Sequence, residues 1–229
     1  MDHVLPTWMT DHRLTVIVGH GGSGKTELAV NMAVALARAG ERTALADLDI
    51  VNPYFRSREQ RALFDSMGIR FVASSQSLVD ADVPALPAEL NTLLQDKTIR
   101  SILDIGGDLG ARVLARYRHQ ITAQSHRVLL VLNARRPQTD TPEKAVTSLR
   151  RIEDTMGLPV DGIVNNTHLC GETTASDVLR GADLADAVAN MTGIPVVCHM
   201  VSRGLLTQLP AMDRAVLPID ITMKKPWEL

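Results

Sequence analysis

Residues 18–26 read VGHGGSGKT: Val18, Gly19, His20, Gly21, Gly22, Ser23, Gly24, Lys25 and Thr26. The stretch sits between a short apolar run, Leu14–Val18, and a long Ala-rich one that begins at Lys25. From Gly19 to Thr26 it fits G-x-x-x-x-G-K-[ST]. At average composition a chain of this length matches that pattern by chance about one time in a hundred. A strand before and a helix after are the context in which such a loop wraps a polyphosphate. Successive backbone N–H groups then point inward as an anion nest, Ser23 among them. Gly21, Gly22 and Gly24 permit positive φ and leave room for oxygens to approach the backbone. The helix that opens at Lys25 adds its positive dipole end. Lys25 is a mobile point charge able to reach the β- and γ-phosphates, and the Thr26 hydroxyl is placed to ligate Mg²⁺.

A magnesium site also needs a carboxylate at a strand end. Asp104 closes the run Ser101-Ile-Leu-Asp104 and fits that role, acting through water because Mg²⁺ dehydrates reluctantly. Ile105, Gly106 and Gly107 complete a D-x-x-G, whose glycine can offer its N–H to a γ-phosphate and move when that group leaves.

The rest of the chain sets the frame. Its 229 residues suit one α/β domain, with residues 1–13 as an N-terminal extension and 205–229 as a tail without a clear reading. Aromatic residues make up 3%, so Val, Ile, Leu, Ala and Met must build the core, a palette suited to buried parallel strands. The net charge of −2 gives no general case for nucleic acid or membrane binding, although Lys25 is the first lysine in the chain and the next is Lys97. The two cysteines, Cys170 and Cys198, imply no disulfide framework. No signal-like leader or apolar span is evident, so the expected location is cytoplasmic.

Short apolar runs alternate with amphipathic ones. Strands are expected at Leu14–Val18, Thr43–Ala46, Ile69–Ala73, Ser101–Ile105, Arg127–Asn133, Val160–Asn166 and Pro195–Met200. Helices are expected over Lys25–Ala39, Arg58–Met67, Ala88–Gln95, from about Ala111, after the Thr141 cap with Pro142 at its first position, and over Ser176–Met191. This alternation predicts a single-domain α/β P-loop fold with a mostly parallel sheet and helices on both faces.

GHGGSGKT, LADLDIVNPYF (residues 45–55) and LDIGG (103–107) together resemble the deviant Walker A ATPases of the SIMIBI class. That group takes in partition and septum-site ATPases, the nitrogenase iron protein, metal-insertion ATPases and the nucleotide-binding part of cobyrinic acid amide synthases. The resemblance covers residues from about 14 to 200. It implies ATP and Mg²⁺ as cofactors and a homodimer that closes with nucleotide on a protein client. By the same resemblance Asp47 lies near the Mg²⁺ shell and Asp49 orients the attacking water, while Asn166, at the end of GIVNN, reads adenine with its amide. Two carboxylates two apart on an extended end point to opposite sides and can serve those different partners. Related GTPases carry N-K-x-D; neither NARRP from Asn133 nor NNTHL from Asn165 matches it.

The family pattern is G-K-G-G-x-G-K-T, and its first lysine crosses the dimer interface to a partner's phosphates. Here that position is His20, shorter and mostly neutral at pH 7. Three readings are open. Arg56 or Arg58 supplies the charge; hydrolysis is slow or partner-activated; or the chain binds nucleotide without useful hydrolysis. An ATP-dependent small-molecule ligase or kinase of the dethiobiotin synthetase kind is the alternative activity. A metal site from His168, Cys170, Cys198 and His199 is disfavoured, since adjacent strand residues point to opposite faces. Arg112 and Arg116, spaced to share a helix face, read with Arg118 as a solvated surface, so no nucleic-acid partner is expected. No membrane partner is expected either. Tyr54 and Phe55 read equally as core or as a client surface.

Overall fold

The computed structural model describes residues 5–48, 60–73 and 88–222. Its elements in chain order are α1 (Thr7–Thr10), β1 (Leu14–Val18), α2 (Lys25–Arg38), β2 (Thr43–Asp47), α3 (Arg61–Ser66), β3 (Arg70–Ala73), α4 (Ala88–Gln95) and β4 (Arg100–Asp104). Then follow α5 (Gly107–Leu114), α6 (Arg118–Thr122), β5 (His126–Leu132), α7 (Pro142–Met156), β6 (Gly162–Asn165), α8 (Ala175–Thr192), β7 (Val196–Ser202) and β8 (Ala215–Ile219). The strands form one sheet in the order β3-β2-β4-β1-β5-β6-β7-β8, and every described pairing is parallel.

The layering follows from which side chains each strand turns to each face. Along β1, Leu14, Val16 and Val18 enter a core shared with α4, α5, α7 and α8. Ile17 enters the opposite core, under α1, α2 and α3. Both faces are thus covered, and β1 is apolar almost throughout because neither side meets water. Leu28, Met32 and Leu36 repeat at helical spacing along α2, with Ala29 and Ala33 letting the helix lie close on the sheet. Thr141 caps α7 with its hydroxyl and Pro142 stands at the first helical position, as the sequence implied. Thr174 and Asp177 form a capping box on α8.

Some expectations need correction. Helix α5 starts at Gly107, earlier than the expected Ala111, with Gly106 extended before it. It gives way to a 3₁₀ turn at Ala115–Tyr117, so Arg112 and Arg116 do not lie on one continuous α-helix. The tail without a reading contains a 3₁₀ segment, Arg203–Gln208, and then β8, which extends the sheet beyond β7.

The first and last described segments are both tied to this framework. In the N-terminal extension Met9 is buried against the α2 core. Arg13 Nη1 donates to the carbonyls of Leu93, Asp96 and Ile99, and its Nη2 to that of Leu94. The Trp8 ring lies 5.2 Å from the guanidinium carbon of Arg127. Burial brings Arg127 down to about 10. At the other end, Thr222 donates through its N–H and hydroxyl to Glu27 Oε1, both at 2.9 Å. Asn31 and the Asp220 backbone exchange two bonds at 3.1 Å.

Parallel strands bring all carboxyl ends to one edge. In open α/β sheets that edge holds the ligand, at the point where the chain reverses its direction of winding. Here the reversal falls at β1, flanked by β4 and β5.

Candidate functional site

The glycine loop lies at that point. It leaves β1 at Val18 and enters α2 through Gly24, the N-cap, which is left-handed at φ +87°. Gly22 is also left-handed, at φ +75°. A Cβ at Gly24 would overlap Asn166 Nδ2, so glycine is required there by space as well as by dihedral. Gly21 is not left-handed, and a Cβ there would meet nothing within 4 Å. Lys25 is buried, with Nζ donating to the His20 carbonyl at 3.2 Å. The His20 ring stays local, its Nδ1 3.0 Å from the Gly21 carbonyl oxygen.

On the β4 side the end of the loop meets one acid, Asp104, with a second, Asp47, beside it in the sheet. Asp47 and Asp104 are paired residues at the ends of adjacent strands, and both are buried. Thr26 Oγ1 donates to Asp104 Oδ2 at 2.6 Å. A hydroxyl and two carboxylates form a hard-oxygen set, the chemistry Mg²⁺ takes, with water completing its shell. Among the described residues no cluster of three or more His, Cys, Asp or Glu could hold a metal by itself. A P-loop site does not need one, because phosphate and water supply most of the ligands. Gly107 opens α5 beside this edge with φ +55°. A cleft of about 880 Å³ adjoins it, lined by His20, Gly21, Gly107, Glu143, Lys144 and Arg151 among others.

On the β5–β6 side the loop meets two short segments. Asn166 is buried and donates from Nδ2 to the Ser23 carbonyl at 2.9 Å. Asn133, fully buried, donates from Nδ2 to the carbonyls of Gly22 (3.3 Å) and His168 (3.2 Å). Arg136 Nε donates to the same Gly22 carbonyl at 2.9 Å. Sequence reasoning weighed NARRP only as a base-reading loop and missed Asn133 and Arg136 as partners of the glycine turn. The one available signal was their position at the end of the strand that neighbours β1.

Cys198 and His199 turn to opposite faces of β7, as expected, while His168 and Cys170 stay together, with Cys170 Sγ 3.9 Å from His168 Nδ1. His168 Nδ1 accepts the Cys170 N–H at 3.3 Å, which leaves the proton on Nε2. Burial, reinforced by nearby Arg136, takes His168 down to about 4, so the ring is neutral at pH 7. Cys198 lies in the α2-side core, where burial pushes its thiol up to about 12. His199 Nδ1 instead accepts from Asn165 Nδ2 at 3.2 Å. Asp49, Tyr54, Phe55, Arg56 and Arg58 lie outside the described residues. Among the described residues no helix is long and apolar enough to cross a membrane.

Comparison with known proteins agrees with this geometry. The fold is similar to cell division protein ftsY from Thermotoga maritima, with a TM-score of 0.57 and 22% identity over 82% of this chain and 61% of that one. It is similar to signal recognition particle 54 kDa protein from Aeropyrum pernix K1, solved with GDP, at 0.52 and 24%, over 80% of this chain and 40% of that one. It also resembles FlhF complexed with GTP and Mg²⁺, at 0.50 and 14%, over 81% and 64%. The chain therefore spans less than two thirds of each of these proteins, and the likeness is one of fold. No curated protein matches significantly. The model of the CobQ/CobB/MinD/ParA nucleotide binding domain matches residues 14–178. With its phosphate loop, its strand-end acids and that match over most of its length, the chain belongs to the CobQ/CobB/MinD/ParA nucleotide-binding domain family of P-loop proteins.

Proposed function

We propose that the chain binds Mg·ATP in this loop and works as a nucleotide-dependent homodimer switch on a protein client, with slow or partner-activated hydrolysis. The observation that carries the reading is the Thr26–Asp104 hydrogen bond, with Asp47 paired to Asp104 across the strand ends and Lys25 folded back on the His20 carbonyl beside the left-handed turn at Gly24. Lys25 releases the His20 carbonyl and turns to the β- and γ-phosphates. The N–H groups of Gly21 to Thr26 hold the phosphate oxygens, that of Ser23 after it leaves the His20 carbonyl, to which it donates at 3.1 Å. Thr26 and Asp104 would hold Mg²⁺, with Asp47 beside them; bound there, it neutralises developing charge on the phosphates. Asp49 orients the attacking water. His20 brings no constant cation to the γ-phosphate, which fits a low basal rate.

Adenine is the base this reading favours. The side chain of Asn166 spends one N–H on Ser23, and an amide has a second N–H and an oxygen with which to meet N6 and a ring nitrogen of adenine. Two of the similar folds were solved with guanine nucleotides, but N-K-x-D is missing from both candidate loops here.

Calorimetry with Mg·ATP and Mg·GTP tests this directly. ATP should bind saturably and more tightly than GTP. Lys25→Ala should weaken binding at least about tenfold, the worth of one charge-assisted contact. Asp104→Asn should remove the gain in affinity that Mg²⁺ confers. A flat Mg·ATP titration rejects the reading, and tighter GTP binding rejects the adenine assignment.

The 880 Å³ cleft beside His20 and Gly107 favours a second reading, a ligase or kinase with a small carboxylate or amine substrate in that space. Saturable stimulation of ADP release by such a metabolite would select it over the switch.

A further inference from the structure

The glycine loop can present its N–H groups inward only if its carbonyls are held outward. The structure names the groups that hold them. Gly22 O receives Arg136 Nε (2.9 Å) and Asn133 Nδ2 (3.3 Å), and Ser23 O receives Asn166 Nδ2 (2.9 Å). Of these donors Arg136 alone carries a charge. Its neighbour Arg135 is committed elsewhere, paired with buried Asp177 at the start of α8 through an Nε bond of 2.6 Å. Among the described residues no carboxylate pairs with Arg136. Its backbone is fixed as well: Arg136 N donates to Asn133 O at 3.1 Å and Thr139 N to Arg136 O at 2.9 Å. The guanidinium lies flat on the loop, with Cζ and Nε each 2.7 Å from where a Gly22 Cβ would stand.

We infer that Arg136 is a positioning residue of the phosphate site: its cation, seated on the Gly22 carbonyl from outside, orients the glycine turn toward polyphosphate and supplies in cis the positive charge that His20 does not. The inference rests on the nucleotide reading above. The Gly22 carbonyl belongs to the Gly22–Ser23 peptide, whose N–H donates to His20 O at 3.1 Å and closes the turn, so a positive charge on its oxygen end holds that turn in place and adds a cationic field beside the phosphate site. The cation is also felt within the wall beside the loop, where it helps keep His168 unprotonated. A charge acting this way should matter more as the ligand gains phosphates.

The test is calorimetric titration of AMP, ADP and ATP, with Mg²⁺, into the full wild-type chain and into R136K, R136Q and R136M. R136Q and R136M should lose about 10- to 100-fold in ATP affinity, less for ADP, and leave AMP unchanged. R136K, which keeps the charge, should stay within about threefold of wild type on ATP. R136M retains an apolar stem, so it carries the test if R136Q does not fold. Wild-type ATP affinity in either neutral variant overturns the inference, as does an R136K loss equal to theirs. A loss for AMP as large as that for ATP also overturns it, because a merely loosened loop would weaken all three alike. If wild type binds none of the nucleotides, the parent reading fails, and that outcome is separate from a variant-specific null.

Discussion

Replacing Gly24 by alanine should damage the loop in a way that can be counted. The new Cβ forces a non-glycine residue into φ +87°, which costs about 1–2 kcal/mol. It also overlaps Asn166 Nδ2 and lies 3.3 Å from Asn166 Cγ and 3.2 Å from His168 Nε2. Asn166 is buried on all sides and cannot move without giving up its bond to Ser23 O, a loss of about 1–3 kcal/mol. The sum is about 2–5 kcal/mol, or a fall in melting temperature of roughly 5–15 °C for a domain of this size. Asn166→Ala alone loses the same hydrogen bond. In the double variant that bond is lost once, so G24A/N166A should be less damaged than the two singles added, by about 1–3 kcal/mol. Urea denaturation of the four proteins reads the cycle. Strict additivity, or a Gly24→Ala protein as stable as wild type, would refute the steric account of this glycine.

Two further outcomes follow from the geometry. His168 titrates at about 4 in the fold against 6.5 when free, and burial lowers His199 in the same direction, so both take up protons more readily in the unfolded chain. Stability should be full above about pH 7 and fall as pH drops from 6.5 toward 4, by up to roughly 3 kcal/mol from His168; His168→Gln should flatten most of that slope in urea titrations, leaving the share of His199. Arg13→Met removes the donor to four carbonyls around the end of α4, and the urea midpoint should drop by the equivalent of about 2–4 kcal/mol with the slope unchanged.

Much of this site could be read before any coordinates because its chemistry is local in the chain. Gly19 to Thr26 are consecutive in the chain, and Asp47 and Asp104 are marked by standing where an apolar run stops. The wall on the other side was not legible in the same way. Asn133, Arg136 and Asn166 meet the loop only because β5 and β6 follow β1 in the sheet, and strand order is a property of the whole fold. A run of glycines likewise says that the turn is tight, not which members are left-handed: Gly22 and Gly24 are, and Gly21 is not. Strand β8 escaped notice because AVLPI carries a proline, and its burial alternates from exposed Ala215 to buried Ile219, as suits a strand beside β7 with no further neighbour described. The early start of α5 was hidden by Gly106 and Gly107, which read as loop and serve instead as a helix entrance.

The helix that opens at the phosphate loop also carries the clasp for the last described strand, through Glu27 with Thr222 and Asn31 with Asp220. These partners lie nearly the whole polypeptide apart. During synthesis, α2 and the strands around β1 can assemble while later segments are still inside the ribosome, but that clasp cannot close until residue 222 has emerged. A nascent chain stalled short of β8 would therefore present the glycine loop on a helix with one flank unsecured. The outer flank of α2 is accordingly secured late, only after β8 has joined the sheet.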